Sequence, residues 1–345
     1  MKYKKLANTD LNVSRICLGT MTYGKQNTQQ EAFEQLDYAL AQGVNFIDTA
    51  ELYPVPTSAA TRTLTEEYIG NWIAARNNRD QLIIGTKVCG PAPMVEYLRE
   101  NIAHDESNIR AAIEGSLKRL NTDYIDLYQL HWPDRQTNFF GQLGYEHDAS
   151  NDGTPLFETL TILKQLVDEG KVRHIGVSNE SPWGVMTFLQ LAKEFNLPRM
   201  ASVQNAYSLL NRTAEIGLAE VLYRENIDLL PYSPLGFGVL SGKYLNGAVP
   251  KNSRLDLFPH YSRYLTPNGI IATQKYVDLA NSAGIDPSQM ALAFVASRPF
   301  VGSTIIGATS IAQLENAISA IDLELDVELQ SKLEEIHHAC HNPCP

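Results

Sequence analysis

Residues 107–131, SNIRAAIEGSLKRLNTDYIDLYQLH, join a helix-like stretch to a short apolar run and decide the fold class. The run over 125–131 has the length and composition of a buried strand. The preceding stretch predicts a helix with one apolar face, because its apolar residues recur at steps of three and four: Ile109, Ile113, Leu117 and Leu120. A helix that leads into such a strand is typical of a parallel sheet covered by helices.

The same alternation continues along the chain. Further strands are predicted over 16–18, 46–48, 82–87, 174–178, 202–205, 228–232 and 303–306. Further crossover helices are predicted over 28–42, 62–76, 155–169, 182–195 and 213–225, with Ser107 as an N-cap and Pro155 and Pro182 in first turns. Eight strands with crossovers predict a closed (β/α)8 TIM barrel, with an N-terminal β-hairpin over 3–15 and an extra C-terminal helix over 327–338.

The alternative fold is an open, doubly wound sheet. That fold carries a G-x-G-x-x-G turn after its first strand, whereas residues 18–24 read LGTMTYG. No linker composition divides the chain, so we expect a single domain over residues 1–345. The segments 88–105, 132–154 and 234–269 are long for loops, which indicates binding loops at the barrel's active face.

Composition excludes several classes of function. The 345 residues include 28 Lys and Arg against 39 Asp and Glu, a net charge of −11, with no basic cluster. Nucleic acids and anionic membranes attract concentrated positive charge, so neither is an expected partner. No apolar run follows the N-terminal lysines, which favours a cytoplasmic protein. Cys340 and Cys344 could bind a metal, but ordinary reduced thiols are the preferred interpretation, and no metal is expected.

Four polar residues follow consecutive predicted strands: Asp48, Tyr53, Lys87 and His131. The carboxyl ends of barrel strands meet at one rim, so we expect these side chains to converge. A tyrosine is a poor proton donor at neutral pH, and a nearby ammonium would lower its pKa. Lys87 could supply that charge, Asp48 could keep Lys87 protonated, and His131 could donate to a substrate oxygen.

Each of the four residues alone also has an ordinary structural explanation, such as capping a loop or packing in the core. A metal-dependent hydrolase using Asp48, Glu51 and His131 is a further alternative. It is disfavoured because no H-x-H or H-E-x-x-H spacing is present and Lys87 would repel a divalent cation.

Several segments together resemble the aldo-keto reductase superfamily, in the branch that includes bacterial Tas-like reductases and potassium-channel β subunits. The matching segments span nearly the whole chain and read FIDTAELY (46–53), TK (86–87), DYIDLYQLHW (123–132), GKVRHIGVSN (170–179) and YSPLG (232–236). The resemblance implies reduction of aldehyde or ketone carbonyls. Tyr53 would be the general acid, Lys87 would lower its pKa, Asp48 would hold Lys87, and His131 would orient the carbonyl.

The cofactor implied by the resemblance is NADPH, bound across the top of the barrel. Ser178, Asn179 and Gln204 would bind the nicotinamide carboxamide, and Tyr232 would stack on its ring. The remaining residues implied for cofactor binding are Thr20, Met21, Ser233, Pro234, Leu235, Gly236, Lys243, Gly307, Thr309, Gln313 and Asn316. A helix beginning near Ser310 would present free N–H groups to a phosphate.

Two departures from the family pattern affect the choice of nucleotide. Gly307 and Gln313 stand where many members carry a cation for the 2′-phosphate, so Arg254 is predicted to bind that group, with a solvated loop arginine as the alternative. The family's Glu-Asn pair is Asn316-Ala317 here, which weakens one adenine contact.

The resemblance leaves the substrate and the catalytic role partly open. Tyr23 and Trp132 are candidate substrate-binding residues, and Met21, Phe139 and Phe140 could extend an apolar wall. Phe139 and Phe140 could equally anchor their long loop. The expected partner is a small carbonyl compound, and a protein partner is not excluded. The alternative function is an NADP(H)-binding regulatory module with little turnover.

Overall fold

The computed structural model describes residues 1–148, 150 and 152–345. The strands are β1 (Tyr3–Lys5), β2 (Asn12–Ser14), β3 (Ile16–Gly19), β4 (Phe46–Asp48), β5 (Ile83–Val88), β6 (Ile125–Leu130), β7 (Val172–Ser178), β8 (Met200–Gln204), β9 (Asp228–Leu229) and β10 (Thr304–Ile306). The helices are α1 (Gln29–Ala41), α2 (Leu64–Arg76), α3 (Glu106–Leu120), α4 (Leu156–Asp168), α5 (Pro182–Phe195), α6 (Leu218–Glu225), α7 (Arg254–Leu257), α8 (Pro267–Ser282), α9 (Pro287–Ser297), α10 (Ile311–Ser319) and α11 (Val327–Ala339).

Strands β3 to β10 form one parallel sheet in which each strand from β3 to β8 pairs with the next along the chain and β10 pairs with β3. Hydrogen bonds also join β9 to the segment that enters β10. The N–H of Leu229 donates to the carbonyl of Phe300 (2.8 Å), and the N–H of Gly302 donates back to Leu229 (2.9 Å). The sheet therefore closes on itself, and the predicted (β/α)8 barrel is confirmed.

The predicted N-terminal hairpin is confirmed as the antiparallel pair β1 and β2. It packs near the amino end of β9, where the Lys4 ammonium lies 2.6 Å from the Asp228 carboxylate. The extra C-terminal helix is α11, capped by Asp326. Within the described residues, no helix is long and apolar enough to cross a membrane.

Helix α3 shows why the apolar spacing predicts the fold. Its four stripe residues are all buried, with exposed fractions of 0, 0, 8 and 0% for Ile109, Ile113, Leu117 and Leu120. The predicted cap was wrong by two residues, because the Asp105 side chain accepts the Asn108 N–H (2.9 Å) and begins the helix before Ser107. A carboxylate at this position also favours the positive end of the helix dipole.

Other predicted elements differ in detail. Pro155 is the residue before α4 rather than part of its first turn, whereas Pro182 opens α5 as predicted. The helix predicted over 213–225 divides into a 3-10 turn (Thr213–Glu215) and α6, because Gly217 adopts a φ of 97°. Helices α8 and α9 were not predicted, since α9 is buried on nearly every side and shows little amphipathic pattern.

Helices α2 and α3 pack closely at Gly70. A Cβ atom there would overlap the backbone carbonyl oxygen of Arg119, which has no freedom to move away. We expect Gly70→Ala to lower the free energy of unfolding by about 1–3 kcal/mol, measured by urea denaturation, because it forces the two helices apart.

The matched control is Gly115→Ala in α3. There the new methyl group meets only the flexible end of the Arg119 side chain. The gain in helix propensity, about 1 kcal/mol, should make Gly115→Ala neutral or stabilising. Equal destabilisation by the two changes would contradict the role assigned to the α2–α3 contact.

Candidate active site

A buried ion pair lies inside the barrel near the carboxyl ends of β4 and β5. Lys87 is fully buried, and its Nζ atom lies 2.6 Å from Asp48 Oδ2 and 2.7 Å from the carbonyl oxygen of Thr49. The other carboxylate oxygen, Oδ1, accepts from Gln204 (2.8 Å) and Gln129 (3.3 Å). Each polar atom of this pair therefore has partners, as a buried charge requires.

The pair keeps Lys87 charged despite its burial. Burial alone lowers the pKa of Lys87, but the Asp48 carboxylate and the Tyr53 phenol outweigh that effect and raise the pKa above the ordinary value of 10.5. A permanent positive charge therefore lies under the rim of the barrel.

Tyr53 and His131 lie beside this charge. The Lys87 Nζ atom is 5.0 Å from the Tyr53 ring centroid, and the Tyr53 and His131 ring centroids are 5.8 Å apart with an edge-on arrangement. Tyr53 is partly exposed, whereas His131 is buried. The structure thus brings together all four residues that follow the consecutive strands.

The protonation states of the two rings follow from their surroundings. Burial raises the pKa of Tyr53 above 10.0, and the Lys87 charge opposes that rise without cancelling it. Burial and then Lys87 hold the pKa of His131 well below 6.5. Its Nδ1 atom is buried, with no hydrogen-bond partner among the described residues. The site therefore holds a protonated phenol, a neutral imidazole and an ammonium at neutral pH.

The residues predicted to hold the nicotinamide lie next to this group and bond to one another. The Ser178 hydroxyl donates to the carbonyl of Gln204 (2.7 Å), and the Asn179 amide donates to the carbonyl of His131 (2.9 Å). The Tyr232 hydroxyl donates to Asn179 Oδ1 (2.7 Å). The ends of β6, β7 and β8 and the segment after β9 are thereby connected.

The segment predicted to bind phosphates carries cations without carboxylate partners. Residues 233–236 form a tight turn, with Pro234 and Leu235 at its centre. The Gly236 N–H donates to the Ser233 carbonyl (2.8 Å). Lys243 lies over the Tyr244 ring (5.1 Å) and Arg254 over the Phe237 ring (4.8 Å). Neither cation forms an ion pair, although the described residues include every Asp and Glu of the chain.

The predicted residues after β10 bond mainly to one another and to α9. The Gln313 side chain accepts from the N–H of Thr309 (3.0 Å), which follows Gly307, and Ser310 caps α10 as expected. The Asn316 amide donates to Asp286, the cap of α9 (3.1 Å).

The remaining candidates lie in different surroundings. The Thr20 hydroxyl donates to the carbonyl of Asp48 (2.8 Å), and the Met21 carbonyl accepts the Val55 N–H (2.9 Å). Tyr23 is fully buried and its hydroxyl donates to Gln35 of α1 (3.1 Å).

Trp132 connects the long loop after β6 to the site. It is fully buried and its indole N–H donates to the carbonyl of Pro91 (3.1 Å). Phe139 stacks on it with a centroid separation of 5.9 Å, and the part-exposed Phe140 lies 6.5 Å from the His131 ring. The two phenylalanines both anchor the loop and form an apolar surface next to His131.

Sequence reasoning missed three residues that support this arrangement. Gln129 bonds to Asp48, and its position two residues before His131 on the same strand face was the signal for it. Arg99 forms an ion pair with Glu51 (2.5 Å), whose carboxylate also accepts the Cys89 N–H (2.8 Å). Arg263, at the end of the long segment after β9, carried no sequence signal. Glu51 is thus engaged with Arg99 rather than directed toward His131.

A sequence profile described as "Aldo/keto reductase family" matches residues 15–338. The chain belongs to the aldo/keto reductase family. Members of this family act as oxidoreductases, and that coarse function is shared by this chain.

Several aldo/keto reductase relatives align over nearly the whole chain. Protein tas of Escherichia coli is 49% identical over 346 residues, covering 100% of both chains. The uncharacterized oxidoreductase YrpG of Bacillus subtilis is 33% identical, covering 97% of this chain and 96% of its own. A probable voltage-gated potassium channel subunit beta of Arabidopsis thaliana is 29% identical, covering 94% and 92%. The predicted branch of the family is therefore confirmed.

The residues present fit a nicotinamide adenine dinucleotide. Burial lowers the pKa of Arg254, and the chain offers no carboxylate to offset that cost. Buried cations of this kind are stabilised when an anionic ligand occupies the site. Lys243 and Arg254 would hold phosphates, and Tyr232, beside Asn179, offers a flat ring for the nicotinamide.

Proposed function

We propose that this protein reduces aldehyde or ketone carbonyls to alcohols with NADPH. The observation that carries the proposal is the buried Lys87–Asp48 pair, 2.6 Å long, next to the Tyr53 phenol and the His131 imidazole. A phenol and an imidazole that share one rim with a fixed ammonium can protonate and stabilise a developing alkoxide.

In the proposed reaction, Tyr53 and His131 orient the carbonyl oxygen. When bound, the nicotinamide would supply the hydride to the carbonyl carbon. The Tyr53 proton moves to the carbonyl oxygen, and the phenolate left on Tyr53 is stabilised by the Lys87 charge. Solvent then returns a proton to Tyr53. Because Lys87 is held by Asp48 and Thr49, its charge is in place before the reaction begins.

The choice of NADPH over NADH rests on Arg254 and Lys243. Both cations lie over aromatic rings in the segment after β9. A guanidinium there could bind the 2′-phosphate that distinguishes NADPH from NADH. We further infer a single domain over residues 1–345, in the cytoplasm, acting on small carbonyl compounds rather than on nucleic acid or membranes. The net charge of −11 supports the absence of a nucleic-acid partner.

Nucleotide titration and turnover test this proposal. Quenching of protein fluorescence by NADPH and by NADH gives the two Kd values, and we expect tighter binding of NADPH by about tenfold or more. Oxidation of NADPH should follow addition of a reactive aldehyde such as 4-nitrobenzaldehyde. Tighter binding of NADH would contradict the role of Arg254.

Two other outcomes separate the alternatives. Tight NADPH binding without measurable turnover on any of several aldehydes would favour the regulatory module over the reductase. Failure of both nucleotides to bind would refute both interpretations of the site.

A further inference from the structure

Arg263 joins two loops across the mouth of the site. Its aliphatic chain packs against Gly141 of the loop after β6, where an added Cβ atom would overlap the Arg263 Cδ atom. Its guanidinium lies 5.0 Å from the ring centroids of both Phe237 and Tyr264, in the segment after β9. The charge is thus held over aromatic faces, which stabilise a cation without neutralising it.

Arg263 lacks the carboxylate partner that several other part-buried arginines have. Arg99, Arg119 and Arg135 each contact a buried carboxylate, at 2.5, 2.7 and 2.5 Å. Arg263 has no such contact, although every Asp and Glu of the chain lies in the described residues. Its Nε atom is buried without a hydrogen-bond acceptor. Such a donor is costly unless a ligand supplies the missing acceptor.

Arg263 and Arg254 both lie over the Phe237 ring, and Arg263 is distinguished by its contact with Gly141 of the loop after β6. Burial raises the pKa of the Tyr232 phenol and the Arg263 charge opposes that rise, which places the guanidinium beside Tyr232. Gly141 follows Phe140, whose ring lies 6.5 Å from His131. The phenols near Arg254 are those of Tyr261, Tyr244 and Tyr264, and only Tyr264 is shared with Arg263.

We propose that Arg263 binds an anionic group of the substrate, so that the enzyme prefers small carbonyl compounds that carry a carboxylate or a phosphate. This inference rests on the proposed function, since it assigns the substrate class of the same site. A guanidinium with a free Nε–H and planar geometry can bind either oxyanion through two hydrogen bonds. The neighbouring aromatic rings exclude water and strengthen that contact.

The test compares aldehydes that differ only in charge. We expect the wild type to have a higher kcat/KM for 4-carboxybenzaldehyde than for its neutral amide, 4-carbamoylbenzaldehyde, and for glyceraldehyde 3-phosphate than for glyceraldehyde. In Arg263→Gln the anionic-to-neutral ratio should fall by about 10- to 100-fold, mainly through KM, and Arg263→Lys should restore part of it. The two pairs show whether carboxylate or phosphate is preferred.

The control is Arg298→Gln. Arg298 also lies over a phenylalanine ring (Phe294, 4.5 Å) and forms no ion pair within the described part of the chain, but it follows α9 outside the site. Its replacement should leave the anionic-to-neutral ratio unchanged. An unchanged ratio in Arg263→Gln would overturn the proposal, as would a tenfold weaker Kd for NADPH in that variant, because Arg263 would then serve the cofactor.

A binding measurement separates this inference from the proposed function. Calorimetric titration of the NADPH-bound protein with 4-carboxybenzyl alcohol requires no turnover. If no aldehyde is reduced, the reductase proposal fails, and the role of Arg263 is decided by whether Arg263→Gln weakens this binding by about tenfold. Equal binding by the two proteins, or none by the wild type, would refute it.

Discussion

Replacement of Tyr53 by phenylalanine should reduce kcat for carbonyl reduction by a factor of about 10² to 10⁴ while leaving the Kd for NADPH within about twofold of the wild type. In the proposed mechanism the Tyr53 phenol gives its proton to the carbonyl oxygen, and Lys87, 5.0 Å from its ring, stabilises the phenolate. The phenylalanine ring keeps the packing. Stopped-flow and steady-state oxidation of NADPH would measure the loss.

The control for this substitution is Tyr276→Phe in α8, which removes a hydroxyl from another buried tyrosine that lies on a helix and not after a strand. It should leave turnover unchanged.

A second readout is the pH dependence of the rate. Because burial raises the pKa of Tyr53 above 10.0, the acid stays protonated, and the wild-type rate should fall on the alkaline side only above about pH 10. Full activity in Tyr53→Phe would refute the assignment.

Replacement of Lys87 by methionine should be the most damaging change to stability. It removes the cation that lies 2.6 Å from Asp48 and leaves that carboxylate buried with two amide donors. Loss of one member of a buried pair costs about 3–5 kcal/mol, which urea denaturation would measure as a lower midpoint. We also expect carbonyl reduction to be lost, since no charge remains to stabilise the Tyr53 phenolate.

The double variant Asp48→Asn with Lys87→Met separates these two effects. With both charges removed, the desolvation penalty disappears and most of the lost stability should return. Turnover should remain absent. A double variant as unstable as Lys87→Met would show that the lysine's packing, rather than its charge, matters, and a double variant with normal turnover would remove Lys87 from the mechanism.

Much of this fold follows from local patterns. The apolar spacing of α3 indicates a helix buried on one face, and the apolar run of β6 indicates a strand buried on both faces. A barrel repeats this helix–strand unit around its axis, so the same two patterns recur along the chain. Helix α9 was missed because it lacks such a pattern. Among the eleven residues of α9, apolar side chains occur on all faces, so periodicity carries no signal.

The site residues that stand at strand ends could be predicted from the sequence, whereas those whose position depends on loop contacts could not. Asp48, Lys87 and His131 could be predicted because they stand at or next to the carboxyl ends of neighbouring strands, which meet at one rim of a barrel. The pKa of Tyr53 was expected to be lowered by Lys87, yet burial has the larger effect, and burial of a loop residue cannot be counted from the sequence. Arg263 reaches the site through contacts with Gly141, more than a hundred positions away.

Inside the barrel, the side chains of Asp48, Gln129 and Gln204 come from β4, β6 and β8 and form one hydrogen-bonded ring, with Gln204 donating to both of the others. A chimaera made by exchanging a single strand with a relative would therefore replace only one of these three mutually bonded side chains. Such a chimaera would leave an amide or a carboxylate buried without a hydrogen-bond partner unless all three positions are exchanged together.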